Sequence, residues 1–225
     1  KEMSHKPIIA TKCGLRWDNT SDRIPTLKKA SIIEECENSL KRLGVDVIDL
    51  YQMHWNQPDE DIEEGFEAMA QCVKAGKVRH AGVSNFNVKN LERIKDIHPI
   101  ASLQPPYSMI RREFESELLG YCGKNHIGVI AYSPMGRGLL TGRFTRERIE
   151  NLTKDDHRTN SDDFREPAIS ATLALVDELG LIAENRDITV AQLAIAWILR
   201  KDKVTSAIVG ARKEGQIAET AEAAE

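Results

Sequence analysis

The chain has 225 residues, 31 of them basic and 35 acidic, for a net charge of −4. That length buries a sizeable core in one domain or at most two, and the near-balanced charge gives no electrostatic reason to propose nucleic acid or an anionic membrane as a partner. No apolar run reaches the roughly 18 residues that a membrane-spanning helix needs, and Cys13, Cys36, Cys72 and Cys122 form no Cys-x-x-Cys pair, so reduced thiols in a cytoplasmic protein are expected and a zinc site is not.

Short β-branched runs alternate with longer segments of helical period. The expected order is a strand over 7–13, a helix over 27–44, a strand over 45–53 and a helix over 61–77. A strand over 78–84, a helix over 87–94, a strand over 100–105, a helix over about 112–124 and a strand over 128–133 follow. In the first helix Ile32, Cys36, Leu40 and Leu43 make the apolar stripe and Gly44 is the stop; in the second, Ile62, Phe66, Met69 and Val73 share a face. A Gly-, Arg- and Asp-rich loop is then expected from Pro134 to about Arg165. Helices over about 168–185 and 189–201, a strand over 204–210 and the start of a last helix complete the chain. The helix at 189–201 is apolar on most sides and should be well buried.

Six strand–helix units in strict alternation imply a parallel sheet with helical crossovers. Either an open doubly wound sheet or a closed barrel would satisfy that pattern. Lys12, His54, Ser84, Asn85, Gln104, Tyr132 and Ser133 all fall at C-terminal ends of strands. A polar residue at nearly every such end is what a barrel needs, because all its strands open onto one mouth. An open sheet would use only the strands at its switch point. The expected fold is therefore an α/β (β/α)8 barrel, with about six of its eight units in these 225 residues, one domain over 1–225. The missing units, the first two strands among them, are expected before Lys1, and the end of the last helix beyond the C-terminus.

Gly136, Gly138 and Gly142 in "GRGLLTG" are spaced one residue too wide for the Gly-x-Gly-x-x-Gly dinucleotide fingerprint. The loop still offers backbone N–H groups to a phosphate, with Arg143 as charge partner, or it is an ordinary flexible loop. Lys12 closes an apolar strand on the face of Ile8 and Ala10. It reads either as an exposed strand end or as a buried ammonium that perturbs a neighbouring acid. His54 is a satisfied polar residue or a catalytic one, and its pairing with Lys12 on sequential strands favours a site. The histidines at 5, 80, 98, 126 and 157 show no metal-ligand spacing. "TKDDHRTNSDD" (153–163) reads as a solvated loop, with a mobile lid as second choice. "GARKEGQIAET" sets Arg212 and Gln216 near a helix start, where a phosphate or plain solvent would fit.

Taken together, "IIATKCG", "SLKRLGVDVIDLYQMHW", "GKVRHAGVSNF", "LQPPYS", "AYSPMGRGLLTGR" and "IVGARKEGQIAET" resemble the aldo-keto reductase family, in the family's order and over almost the whole chain. The glycine loop and the last motif look most like the reductases that also resemble potassium-channel β subunits. The resemblance implies an eight-fold barrel that holds NADP(H) at its C-terminal mouth. It implies that Lys12 is the lysine ending the family's third strand. It also makes His54 the histidine ending the fourth, donating a hydrogen bond to a small-molecule carbonyl substrate, with Trp55 lining the pocket. Ser84, Asn85 and Gln104 match the residues that hold the nicotinamide carboxamide, and Tyr132 the ring that stacks on the nicotinamide. Ser133, Pro134, Met135, Gly136, Gly138 and Arg143 match the pyrophosphate loop. Gly210, Arg212, Gln216 and Glu219 match the clamp on the adenosine and its 2′-phosphate, with Thr220 where the family usually has asparagine.

The implied activity is NADPH-dependent reduction of aldehydes or ketones to alcohols. The alternative is an NADP(H)-binding regulatory subunit that resembles the channel β subunits. The family delivers the proton from a tyrosine whose acidity is raised by the adjacent lysine, itself paired with an aspartate. That aspartate and tyrosine precede the lysine in the family, and none of Tyr51, Tyr107, Tyr121 or Tyr132 occupies an equivalent place. The chain is thus expected to be a reductase fragment with half of the catalytic tetrad and no turnover of its own.

Overall fold

The alternation of β-branched and amphipathic segments is realised in a computed structural model that describes residues 6–20, 22–213 and 215–224. His5, and Glu214 of the last motif, lie outside the described residues. The chain divides into two compact units. One runs to Pro105 and takes in Glu117–Val129; the other is Pro106–Ser116 with the chain from Ile130 onward.

In the first unit, β1 (Ala10–Cys13) leads into a small antiparallel hairpin of β2 (Leu15–Trp17) and β3 (Arg23–Pro25). Then come α1 (Lys29–Leu43), β4 (Ile48–Met53), α2 (Ile62–Lys74), β5 (Val78–Ser84), α3 (Val88–Ile94), β6 (Ser102–Gln104) and α4 (Leu118–Lys124). Helix α1 packs on α2, and α2 on β5. Ile32 and Cys36 of α1 and Ile62, Phe66 and Met69 of α2 are buried, together with Ile48, Tyr51, Met53, Ala81 and Val83 of the strands. Strand β4 ends in three successive buried residues, as a strand covered on both faces should. Gly44 stops α1 in the left-handed region, and its N–H and that of Val45 satisfy the last-turn carbonyls. Asn87 caps α3 in a reciprocal box with Asn90.

Strand β7 (Gly128–Tyr132) begins in the first unit and ends in the second. The second unit continues through two 3-10 turns that meet at a kink within Gly136–Thr141, α5 (Arg146–Glu150), 3-10 turns at His157–Asn160 and Asp162–Phe164, α6 (Ala168–Glu184), α7 (Val190–Leu199), β8 (Val204–Ile208) and α8 (Gln216–Ala221). No residue of α7 is exposed, as its all-round apolarity requires. The main sheet has six strands in the order β1-β4-β5-β6-β7-β8. The pairings from β1 to β7 are parallel. One register row runs Lys12, Gln52, Gly82, Ser102, Gly128.

Several boundaries differ from the sequence reading, each with a local cause. The first strand starts at Ala10 and not residue 7, because the Ile9 N–H goes to the Asp49 carboxylate (2.9 Å) and Ile8 is 84% exposed. The next starts at Ile48 and not residue 45, because Val45 is spent on the cap of α1. The helix expected over 112–124 is a 3-10 turn at Glu113–Glu115 followed by α4, with Glu117 out of helical conformation between them. The stretch 134–165 is not an open loop. Leu139, Phe144, Phe164 and Ile169 form a buried cluster there, and Arg158, assigned to a solvated loop, is only 8% exposed.

Candidate functional site

Each unit gathers its own share of the polar residues singled out by the sequence. In the first, Lys12 is the penultimate residue of β1, His54 directly follows β4, Ser84 ends β5 with Asn85 next to it, and Gln104 ends β6. Because paired residues of neighbouring strands point the same way, Lys12 lies beside Gln52 on one face. A continuous hydrogen-bond network joins the strand ends. The Asn85 amide donates to the His54 carbonyl (3.0 Å) and to Ser84 Oγ (3.1 Å). Ser84 Oγ donates to the Gln104 carbonyl (2.8 Å), which the Asn85 N–H also reaches. Asn85 adopts a positive φ of 61°, a conformation open to asparagine at little cost. Trp55 is partly exposed and stacks on His54 with ring centroids 5.9 Å apart and planes 12° from parallel.

The electrostatics of this cluster favour a neutral imidazole. His54 is pushed below its ordinary value by burial first, then by the Lys12 and Arg23 charges. Burial also lowers Lys12. Tyr51 is turned to α1 and its hydroxyl donates to the Ile32 carbonyl (3.3 Å), so it is a core residue. All four cysteines are buried and unbridged. Among the described residues no group of His, Cys, Asp and Glu could hold a metal ion, and no helix is long and apolar enough to cross a membrane.

The second unit contains a cavity of about 760 Å³ that gathers most of its predicted residues: Tyr132, Ser133, Pro134, Met135, Gly138, Arg143, Gly210, Arg212, Gln216 and Glu219. Gly136 lies instead on a small neighbouring cavity. Gly138, at φ 106°, is required twice over: a side chain would be strained, and its Cβ would come within 2.9 Å of the Phe144 ring. Gln216 is used structurally, its Oε1 accepting the backbone N–H groups of Arg212 (2.6 Å) and Lys213 (3.0 Å). Glu219 pairs with Arg143 at 3.1 Å. Thr220 donates its hydroxyl to its own helix at the Gln216 carbonyl (2.9 Å).

Sequence reading missed four cations of this cavity: Arg137, Arg148, Arg158 and Lys213. Arg148 and Arg158 hold their guanidinium carbons 4.4 and 4.9 Å from the centroid of Phe144. Arg158 is neutralised by a forked pair to Asp156 (2.8 and 2.5 Å), and Arg143 by Glu219. Arg137, Arg148, Arg212 and Lys213 have no carboxylate partner among the described residues. A cavity lined by four uncompensated cations selects a ligand with several negative charges. The Arg-rich composition of 137–158 was the available signal for three of them, and Lys213 lies inside the GARKEGQIAET motif.

A model of the aldo/keto reductase family matches residues 1–225. The chain is 40% identical over 211 residues to aldo-keto reductase YhdN of Bacillus subtilis (strain 168), covering 93% of this chain and 63% of that protein. It is 30% identical over 224 residues to the NADH-specific methylglyoxal reductase of Escherichia coli (strain K12), covering 94% and 68%. Among solved structures it is similar to the glycerol dehydrogenase AKR11B4 from Gluconobacter oxydans, with a TM-score of 0.89 and 36% identity over 97% of this chain and 67% of that one. The chain spans about three fifths to two thirds of the length of the curated relatives it matches. The α/β fold of parallel strands and helices is that of the family's (β/α)8 barrels.

Proposed function

The chain belongs to the aldo/keto reductase family, and on that premise we propose that its residues bind NADP(H) and prepare hydride transfer to the carbonyl carbon of a small aldehyde or ketone. The observation that carries the reading is the second unit's cavity, in which Arg137, Arg148, Arg212 and Lys213 face a common space without carboxylate partners among the described residues. The residues fit a phosphate-bearing dinucleotide: the cations suit its pyrophosphate and 2′-phosphate, and Tyr132 offers an aromatic face. Bound, such a cofactor supplies the hydride. In the first unit, neutral His54 donates a ring N–H to the carbonyl oxygen and stabilises the negative charge that grows there. Lys12 places a positive charge that favours the ionised form of an acid set next to it. Trp55, stacked on His54, offers apolar surface to the substrate. None of the four tyrosines matches the family's proton donor, so proton delivery is assigned to none of them. The four unbridged cysteines support a cytoplasmic setting.

The reading favours NADPH over NADH, because a 2′-phosphate adds charge-assisted hydrogen bonds worth about 1.5–3 kcal/mol each, or about 10–100-fold in affinity for one such bond. The test is a titration of the protein with both cofactors at low and moderate salt. Tighter, salt-weakened binding of NADPH is expected. Absence of binding overturns the reading, and equal Kd values overturn the cofactor preference.

A further inference from the structure

Behind Gln104 lies a second glutamine that the family motifs do not single out. Gln52 is fully buried in β4 and Gln104 is 4% exposed at the end of β6. Gln104 Nε2 donates to Gln52 Oε1 at 2.9 Å, and Gln52 Nε2 donates to Ser102 Oγ at 3.0 Å. The donors therefore run in one direction: Gln104 to Gln52 to Ser102. Gly82 makes this relay possible. It lies between Gln52 and Ser102 in the register row, and a Cβ there would come within 2.4 Å of Ser102 Oγ. The missing side chain leaves a window through which β4 reaches β6 across β5.

An amide has one acceptor end and one donor end. With its Nε2 engaged, Gln104 keeps Oε1 as its presented end. That oxygen has no hydrogen-bond partner among the described residues, and it is not among their buried unpartnered atoms. Flipping Gln104 alone would set its oxygen against the oxygen of Gln52, whose own Nε2 is bonded to Ser102 Oγ. We propose that Gln52 is a positioning residue: with Ser102 behind it and Gly82 as the opening, it fixes the Gln104 amide so that Oε1 accepts from the N–H2 of the nicotinamide carboxamide. This rests on the NADP(H) reading above.

The experiment compares Kd values of the protein for NADP+, for its 3-acetylpyridine analogue, whose acetyl group has no N–H, and for 2′,5′-ADP, which has no nicotinamide at all. A site built to accept an N–H disfavours the analogue, and for one hydrogen bond the unmodified protein should prefer NADP+ about tenfold. Gln52→Met, which keeps the volume and removes the relay, should bring that preference to within about twofold of unity, with binding of 2′,5′-ADP unchanged. If Gln52→Met does not fold, Ser102→Ala decides. It deletes one oxygen, and should lower the preference about threefold by releasing Gln52. A purely structural role for Gln52 would leave the NADP+/analogue ratio as it was, and an unchanged ratio in the folded variants overturns the proposal. Binding of 2′,5′-ADP without discrimination by the unmodified protein also overturns it while sparing the phosphate site. Failure to bind any of the three overturns the parent reading too.

Discussion

Substituting Gly82 by alanine should damage the first unit in a way that can be apportioned. The added Cβ would lie 2.4 Å from Ser102 Oγ, 2.9 Å from the Ser102 carbonyl oxygen and 3.3 Å from Gln52 Cγ. Rotating the serine side chain relieves the first contact but not the second, which sets the rigid Cβ against backbone at the first pair of the β5–β6 ladder. The strands must separate by a few tenths of an ångström, and the buried bond from Gln52 to Ser102 is lost. Overpacking costs about 1–3 kcal/mol and the stranded amide about 1–3 kcal/mol. We expect a loss of about 2–6 kcal/mol, which lowers Tm by about 4–24 °C in a chain of this size. Thermal melts by circular dichroism measure it. The same substitution in a Ser102→Ala background no longer meets Oγ, so the two changes should couple by about 1 kcal/mol in a double-mutant cycle. A Gly82→Ala protein that melts with the unmodified one, or strict additivity in the cycle, would refute the window and the relay drawn from it.

In protein that carries these residues together with the family's aspartate and tyrosine, Lys12→Met should lower kcat for aldehyde reduction by about 10²–10⁴ with little change in NADPH affinity, since Lys12 acts on proton transfer; an unchanged kcat removes Lys12 from the mechanism. Arg212→Ala should weaken NADPH by about tenfold and leave NADH nearly unaffected, as read by fluorescence titration; equal losses for the two cofactors would take Arg212 off the 2′-phosphate. Glu115 accepts from Arg112 (2.8 Å) and the buried Tyr107 hydroxyl (2.5 Å), which hold its carboxyl down at about 2. Its contribution to stability is therefore full above its unfolded value of about 4.3 and fades as pH falls toward about 2. Tyr107→Phe should flatten that acid limb of the Tm–pH curve, and an unaltered limb would dissociate it from Glu115. His54, lowered in the folded protein, should titrate below the ordinary value of about 6.5 by NMR; a raised value would contradict the neutral donor.

Much of this molecule could be read from local pattern. Strand β5 is bounded at Val78 and Ser84 as expected, because a seven-residue run with Val78 at its start and Val83 next to its end meets a polar turn. The six main-sheet strands and the polar residues at their C-terminal ends were legible for the same reason. The hairpin of β2 and β3 was not, since three-residue strands carry no period, and the Asp18 carboxylate organises their turn by accepting the Thr20 and Asp22 N–H groups at 2.8 Å. The packing of 134–165 escaped because its core residues, Leu139, Phe144 and Phe164, are spaced by 3-10 turns and not by a helical or strand period. The cations at 137, 148, 158 and 213 become one wall only through tertiary contacts. Gln52 shares the face of His54 by the period of two, but only the register sets it beside Lys12 and shows that Gly82 opens its path to Ser102.

The central claim, hydride transfer from a nicotinamide to a carbonyl carbon, is tested most directly with NADPH carrying deuterium at the transferring position. Protein with these residues and the family's aspartate and tyrosine is incubated with a reactive aldehyde, and the alcohol is analysed by mass spectrometry. The account predicts one deuterium on the carbinol carbon for each alcohol formed, and loss of product when Lys12 is replaced by methionine. Alcohol without label, or tight NADPH binding with no aldehyde-dependent oxidation at any substrate concentration, would contradict it.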